Sequence, residues 1–368
     1  MRDKIMKMPK WLVVVIAVVI TVGFIGALKL GGFLVGDALT LPAYGDSMLG
    51  EFVGGVFALL MLILFGYAGI LKEKNIGTLK TFYTGGFFIG YCILEIVAQM
   101  YVQAMKGNTA HVQPVISIIF FAATMFLIGW TEEIVFRGVI LNMFLDSFSK
   151  TKRGILGAIL LNGVLFGALH MSNVLSGVKL ESAIVQSITA GLLGVILAAV
   201  YARTRSIWYV ICAHAAVDFA GLMASGIFGI GTEIDGINDI SWTNLISVPV
   251  LIIPIFVLLR KSKLAEMEQR ANGMVVFDTY EQADGMATTS LILGVLSIIT
   301  GFVGYGIGLG VVGILGSVLS KKIKPYENGV ATAGMVTSII GIVIGVLMAV
   351  VLYFMYLSMQ SMGMENIF

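Results

Sequence analysis

Three stretches set ionisable side chains inside otherwise apolar runs. The first is Thr131-Glu132-Glu133-Ile134-Val135-Phe136-Arg137-Gly138. On a helix, Glu133 and Arg137 stand at i and i+4, share a face and can form an ion pair. Glu132 points about 100° away and is left for another partner. A structural salt bridge accounts for two of these charges only, because a buried carboxylate without a partner is expensive. The second stretch is Asn162-Gly163-Val164-Leu165-Phe166-Gly167-Ala168-Leu169-His170. Phe166 and His170 are again i and i+4, with Asn162 a further turn back on roughly the same face. The third, His214-Ala215-Ala216-Val217-Asp218, sets an imidazole beside a carboxylate on one helix. Taken singly, the second reads as a satisfied core histidine and the third as a structural pair. Together they supply carboxylate and imidazole side chains, the residue types of an acid–base active site.

The elements that must position these groups are membrane helices. Of 368 residues, 58% are hydrophobic and 12% charged, and the mean hydropathy is +0.99. An ordinary soluble domain carries about 25% charged residues, so this chain lacks the polar surface to dissolve a body of its size. The 45 glycines follow no collagen-like repeat and suit helices that pack backbone to backbone. A net charge of +2 with no basic stripe excludes a nucleic-acid partner. Cys92 and Cys212 lie in apolar runs and make neither a secreted disulfide pattern nor a cysteine metal site.

A crossing needs roughly 20 mostly apolar residues. Such runs are predicted over 12–27, 52–71, 82–102, 115–145, 155–171, 184–201, 207–223 and 245–259, eight in all. The first follows a basic start as a signal peptide would, but no clear Ala-x-Ala site follows it, so an uncleaved helix is expected. Residues 261–287 read as a polar cytoplasmic linker. The run 288–320 is too long for one crossing and reads as a hairpin broken at Thr300–Gly306, and a last span covers 331–356. The expected fold is therefore an all-α polytopic membrane protein, an eight-helix body over 1–260 plus about three helices in a glycine-rich domain over 288–357, with a tail over 358–368. Gly341-x-x-x-Gly345 in the last span is a spacing that lets helices approach closely.

Lys and Arg test the orientation. The N-terminus and loops 72–80, 150–153, 203–205, 260–270 and 321–324 hold 4, 3, 3, 2, 4 and 3 of them, 19 of 23. These loops alternate with loops poor in basic residues, so the N-terminus is expected in the cytoplasm. Charges at membrane depth usually face a protein interior or cavity. They are Glu95, Glu132, Glu133, Arg137 and Asp218, joined by His170 and His214; His111 sits in a polar loop and is expected to be solvated. At about 1.5 Å per residue from the cytoplasmic end, Glu132 lies ~20 Å deep, His170 ~22 Å, His214 ~11 Å and Asp218 ~17 Å. The three stretches can meet in one buried layer.

Glu132-Glu133-x-x-x-Arg137, Phe166-x-x-x-His170 and His214-x-x-x-Asp218, in this order on separate predicted helices, resemble the motifs of the CPBP family. These are the CAAX-protease and bacteriocin-processing intramembrane endopeptidases, also called the Abi family. A lone His-x-x-x-Asp would mean little; the full set, covering roughly residues 50–225, is specific. The resemblance implies an eight-helix body and glutamate-dependent hydrolysis of peptide bonds in the membrane. Glu132 and His170 would activate the attacking water, with Glu132 as general base. His214 with residue 218 would stabilise the oxyanion. Glu133 and Arg137 would hold the helix that presents Glu132, with Phe166 and Asn162 in support.

The family's prenyl-protein proteases carry Asn where this chain has Asp218. An ionised Asp218 cannot donate a hydrogen bond to an oxyanion. Either it is protonated or it orients His214 and leaves donation to the ring; the second is preferred, since a carboxylate commonly fixes a histidine's tautomer. Two histidines and a glutamate also match a catalytic zinc's ligand set, and a metal, if present, would be held by Glu132, His170 and His214. The family was long described as metalloproteases, but the expectation is a site without cofactor. Other intramembrane protease classes do not match, for there is no His-Glu-x-x-His and no Gly-x-Ser-Gly.

The C-terminal domain resembles small glycine-rich membrane domains of bacterial proteins. With no charge inside its spans it is assigned packing or the binding of a membrane partner. The resemblance implies a bacterial cell membrane, with lipid and a membrane-associated peptide or protein substrate as partners: peptide pheromones or bacteriocin leaders rather than prenylated proteins. Two other readings compete. One is a catalytically idle scaffold or bacteriocin-immunity protein. The other is an ion-coupled transporter using Glu95 and Asp218, for which no internal repeat or paired broken helices speak.

Overall fold

The computed structural model describes residues 1–35, 43–108, 112–274, 278–302, 306–326 and 328–361. The readings of His111 and of residues 362–368 lie outside these. In chain order the main helices are α1 (Lys10–Val35), α2 (Gly45–Leu64), α3 (Gly86–Met105), α4 (Val115–Glu133), α5 (Lys152–His170), α6 (Leu180–Thr204), α7 (Ile207–Gly221), α8 (Val248–Leu258), α9 (Lys261–Ala271), α10 (Tyr280–Gly301), α11 (Gly306–Ile323) and α12 (Gly329–Ser361). Among the described residues no strand occurs, and nine helices are long and apolar enough to cross a membrane. The protein is an all-α, multi-pass membrane protein. In hydrocarbon a helix satisfies its own backbone polar groups, which is why an apolar chain of this length settles into helices.

Three details differ from the spans read in the sequence. The segment expected to run unbroken from 115 to 145 extends to Ser147 but changes its winding at Ile134. α7 has 15 residues and is shorter than a full crossing. The apolar run near 245–259 begins as a 3-10 turn, Trp242–Ser247, and the pair it forms with α9 is bent by 53°.

The chain divides into two units. The first takes in residues 1–76, 113–226 and 230–276. Here α1 packs on α2, α2 and α7 pack on α4, and α5 and α8 pack on α6. α6 is the most enclosed, with Ile196, Leu197, Ala198, Ala199, Val200 and Tyr201 all buried. Val19, Ile63 and Val164 instead expose most of their apolar surface, as lipid-facing residues do. Part of the expected linker is ordered: α9 buries Leu264 and Met267 and lies against α5.

The second unit takes in residues 77–112 and the C-terminal helices. α10, α11 and α12 pack on one another, and α3 packs on α11. The serines Ser290, Ser297 and Ser317 donate to the carbonyls of Gly313, Gly306 and Ala331 at 2.6, 2.7 and 2.6 Å, fastening neighbouring helices where their backbones meet. A Cβ on Gly341 would lie 2.6 Å from the Ser297 backbone, and one on Gly345 would lie 3.0 Å from Ile307. The Gly341/Gly345 spacing is thus a contact surface, as close-packed membrane helices require. Gly341→Val is expected to lower stability by about 1–3 kcal/mol through overpacking, read as an earlier thermal transition in detergent; an unchanged transition would mean that α12 does not need this approach. Glu95 lies on α3 in this unit and accepts from Gln99 Nε2 at 3.3 Å.

Candidate active site

The eight residues singled out in the three stretches all lie in the first unit. Glu132 and Glu133 close the last turn of α4, Asn162, Phe166 and His170 line α5, and His214 and Asp218 share a face of α7. α7 reaches this turn because Gly129 has no side chain. A Cβ there would lie 2.8 Å from both the Ile211 carbonyl oxygen and the Ala215 nitrogen.

Immediately after Glu133 the chain winds as a π-helix over Ile134–Leu141, with all eight residues buried. Such turns interrupt the regular ladder and frequently mark functional sites. Two asparagines serve the carbonyls of this turn. Asn162 Nδ2 donates to the Phe136 carbonyl at 2.9 Å. Asn142 Nδ2 lies 2.9 and 3.0 Å from the Arg137 and Gly138 carbonyls and 3.0 Å from the Tyr201 hydroxyl. Arg205 donates to Asn142 Oδ1 at 3.0 Å and pairs with Glu73 at 2.9 Å. The sequence singles out Asn162 but not Asn142, because nothing in its i,i+4 spacing announces a wider turn.

Arg137, fully buried, donates to Glu133 Oε1 at 2.7 Å and to the Gly194 carbonyl at 3.0 Å. Its guanidinium lies over the Phe166 ring, 4.4 Å from the centroid. Glu133 Oε1 also meets His214 Nδ1 at 2.9 Å. The other nitrogen of that ring, Nε2, lies 3.4 Å from Asp218 Oδ2 and 3.8 Å from Glu132 Oε2. One imidazole is thus set among three carboxylates, and the shortest contact to it comes from Glu133 rather than from Asp218. His170 Nδ1 donates to the Phe166 carbonyl at 3.0 Å. A carbonyl only accepts, so the lone pair of the neutral ring is left on Nε2. The Phe166 ring stands edge-on to both imidazoles, with centroids 5.1 Å from His170 and 5.5 Å from His214. Glu132 Oε2, Glu133 Oε2 and Asp218 Oδ2 are buried without a hydrogen-bond partner.

Residues 114–220 match the family model described as Type II CAAX prenyl endopeptidase Rce1-like. This stretch is a CAAX-protease-like domain. Comparison with curated proteins and with solved structures finds no match. The Rce1-like domain runs from the start of α4 almost to the end of α7. It contains Glu132, Glu133, Arg137, Asn162, Phe166, His170, His214 and Asp218.

A further carboxylate reaches the domain from outside its bounds. Glu51, on α2, accepts a hydrogen bond from Thr131 Oγ1 at 2.6 Å. The apolar run read in the sequence starts at residue 52, which leaves Glu51 in a loop; the helix begins at Gly45, about two turns earlier. The signal that could have found it is a lone acid immediately ahead of an apolar run. One turn before Glu51, Ser47 Oγ donates to Glu233 at 3.0 Å. Burial pushes the Glu233 carboxyl above the usual range, against the pull of that hydrogen bond.

The set that would hold zinc does not converge as placed. Among the described residues, no three His, Cys, Asp or Glu groups come together at a metal's spacing. Both nitrogens of His214 face carboxylates and Nδ1 of His170 faces a carbonyl.

Proposed function

We propose that this protein is an intramembrane endopeptidase that hydrolyses peptide bonds of membrane-associated or leader-peptide substrates with a glutamate as base. The observation that carries the reading is Glu132: a carboxylate inside a CAAX-protease-like domain, with a buried, unpartnered oxygen turned toward an imidazole held from its far side by Glu133.

In this mechanism the water that attacks the scissile carbonyl carbon loses its proton to Glu132. His170 Nε2 accepts the water's second hydrogen bond and orients it. The carbonyl π electrons move to oxygen, and the oxyanion receives a hydrogen bond from His214 Nε2–H. Donation at Nε2 while Nδ1–H is held by Glu133 calls for the doubly protonated ring. Glu132 then returns the proton to the amide nitrogen as the C–N bond breaks, leaving a carboxylic acid and an amine. Arg137, Asn162 and Phe166 support the turn from which Glu132 projects. Asp218 holds Nε2 until substrate arrives.

For the membrane arrangement, the nine long helices, α7 and the bent pair are read as eleven crossings, eight and then three in chain order. The basic loops support an N-terminus in the cytoplasm. Residues 1–260 serve as the protease body, 261–287 as linker, and the glycine-rich helices of 288–357 pack or bind a membrane partner.

The test is cleavage of a membrane-peptide library by purified protein, beside His170→Ala and His214→Ala, each with and without chelator. Cleavage lost in both variants and kept in chelator is the expected result. Loss in chelator with recovery on adding zinc would overturn the mechanism but keep the protease. A well-folded wild type that cleaves nothing would favour the idle scaffold.

A further inference from the structure

Glu132 makes no hydrogen bond of its own through Oε2, so its place must be set by its neighbours in the chain. On one side Glu133 is gripped by Arg137 at 2.7 Å and by His214 at 2.9 Å. On the other side Thr131, fully buried, is gripped from α2. Its hydroxyl donates to Glu51 Oε2 at 2.6 Å. One turn along α2, Gly55 lets the two backbones close: a Cβ there would lie 2.6 Å from the Trp130 ring and 3.4 Å from Thr131 Cγ2.

Glu51 is an unusual choice for a merely structural bond. A neutral acceptor would serve the hydroxyl as well, and no cation pairs with Glu51 among the described residues; its charged neighbours are Glu132, Glu233, Asp218 and His214. It also lies outside residues 114–220, so the family match assigns it nothing.

We propose that Glu51 is a positioning residue for the proposed base, acting through Thr131. With Glu51 and Gly55 on one flank and Arg137 and His214 on the other, the turn carrying Glu132 is held at both ends, and the unbonded carboxylate keeps one position relative to His214. This rests on the protease reading for its consequence in catalysis, but not for the hold itself. A displacement of about 1 Å at a reacting group can cost about 10²-fold in rate, so a hold remote from the substrate matters.

The experiment measures peptide cleavage and hydrogen exchange in the full-length protein in detergent for Glu51→Ala, Glu51→Gln, Thr131→Val and the Glu51→Ala/Thr131→Val pair. Glu51→Ala and Thr131→Val are each expected to lower kcat by about 10- to 100-fold with KM within about twofold. The pair should be no worse than either alone, since coupled residues are not additive. Glu51→Gln keeps an acceptor for the hydroxyl and should restore kcat to within about threefold of wild type. Effects that multiply in the pair, a change confined to KM, or a Gln variant as poor as Ala would each overturn the proposal. If the wild type cleaves nothing, the protease reading falls while exchange over residues 128–137 still tests the hold. Faster exchange there in the Ala and Val variants but not in the Gln variant supports it, and unchanged exchange refutes it.

Discussion

Glu132→Gln is expected to reduce cleavage by about 10³-fold or more while leaving the protein at least as stable as the wild type. The amide has the same shape as the carboxylate but cannot take a proton from water. In the unliganded protein nothing is lost in exchange, since Glu132 is 8% exposed, its Oε2 has no hydrogen-bond partner and its nearest ionic neighbour stands 3.8 Å away. Replacing an unpaired buried carboxylate with a neutral group removes a desolvation cost. Rates on a cleavable peptide and the thermal transition in detergent read the two halves separately. A variant that keeps a tenth of wild-type kcat would remove Glu132 as the base. One that is inactive because it has lost stability would show the carboxylate to be structural.

Arg137→Met has the opposite profile, acting on the fold before the chemistry. It takes the guanidinium from Glu133, whose side chain is fully buried and keeps only the His214 ring as partner, and it leaves the Gly194 carbonyl without its donor. It also removes the cation over Phe166. Leaving a buried charge without its partner costs about 3–5 kcal/mol, enough to lower the thermal transition sharply or abolish recovery of folded protein. Met fills much of the same volume, so the loss would come from the charge. Adding Glu133→Gln removes that charge and should return a good part of the stability without returning activity, because His214 loses its carboxylate partner at Nδ1. Equal instability in the single and double variants would assign the loss to packing instead.

These two residues mark how far local spacing reaches. Glu133 and Arg137 stand at i and i+4 in the sequence, and the ion pair expected from that spacing is present at 2.7 Å, even though the helix changes to a wider winding from Ile134 onward. The Phe166–His170 and His214–Asp218 contacts are likewise one-turn neighbours that the sequence places side by side. The helical hairpin of α10 and α11 follows from a run too long for one crossing. The relation between helices is another matter. The orienting contact expected from Asp218, four residues from His214, is outdone by Glu133, eighty-one residues away. Glu51, an acid ahead of an apolar run, reads as a loop residue until its partner on α4 is known. Asn142 has no meaning before the carbonyls of a π-turn need donors.

By itself, then, the sequence determined that the chain is helical and spans a membrane, and which ionisable side chains fall inside apolar runs. Apolar composition leaves the backbone no other way to satisfy its polar groups, and one-turn spacing is local geometry. Which carboxylate holds which imidazole was decided by tertiary structure alone. That depends on how closely α2, α5 and α7 approach α4, and the approach is set by absent side chains, at Gly55 and Gly129, whose effect exists only once another backbone lies against them.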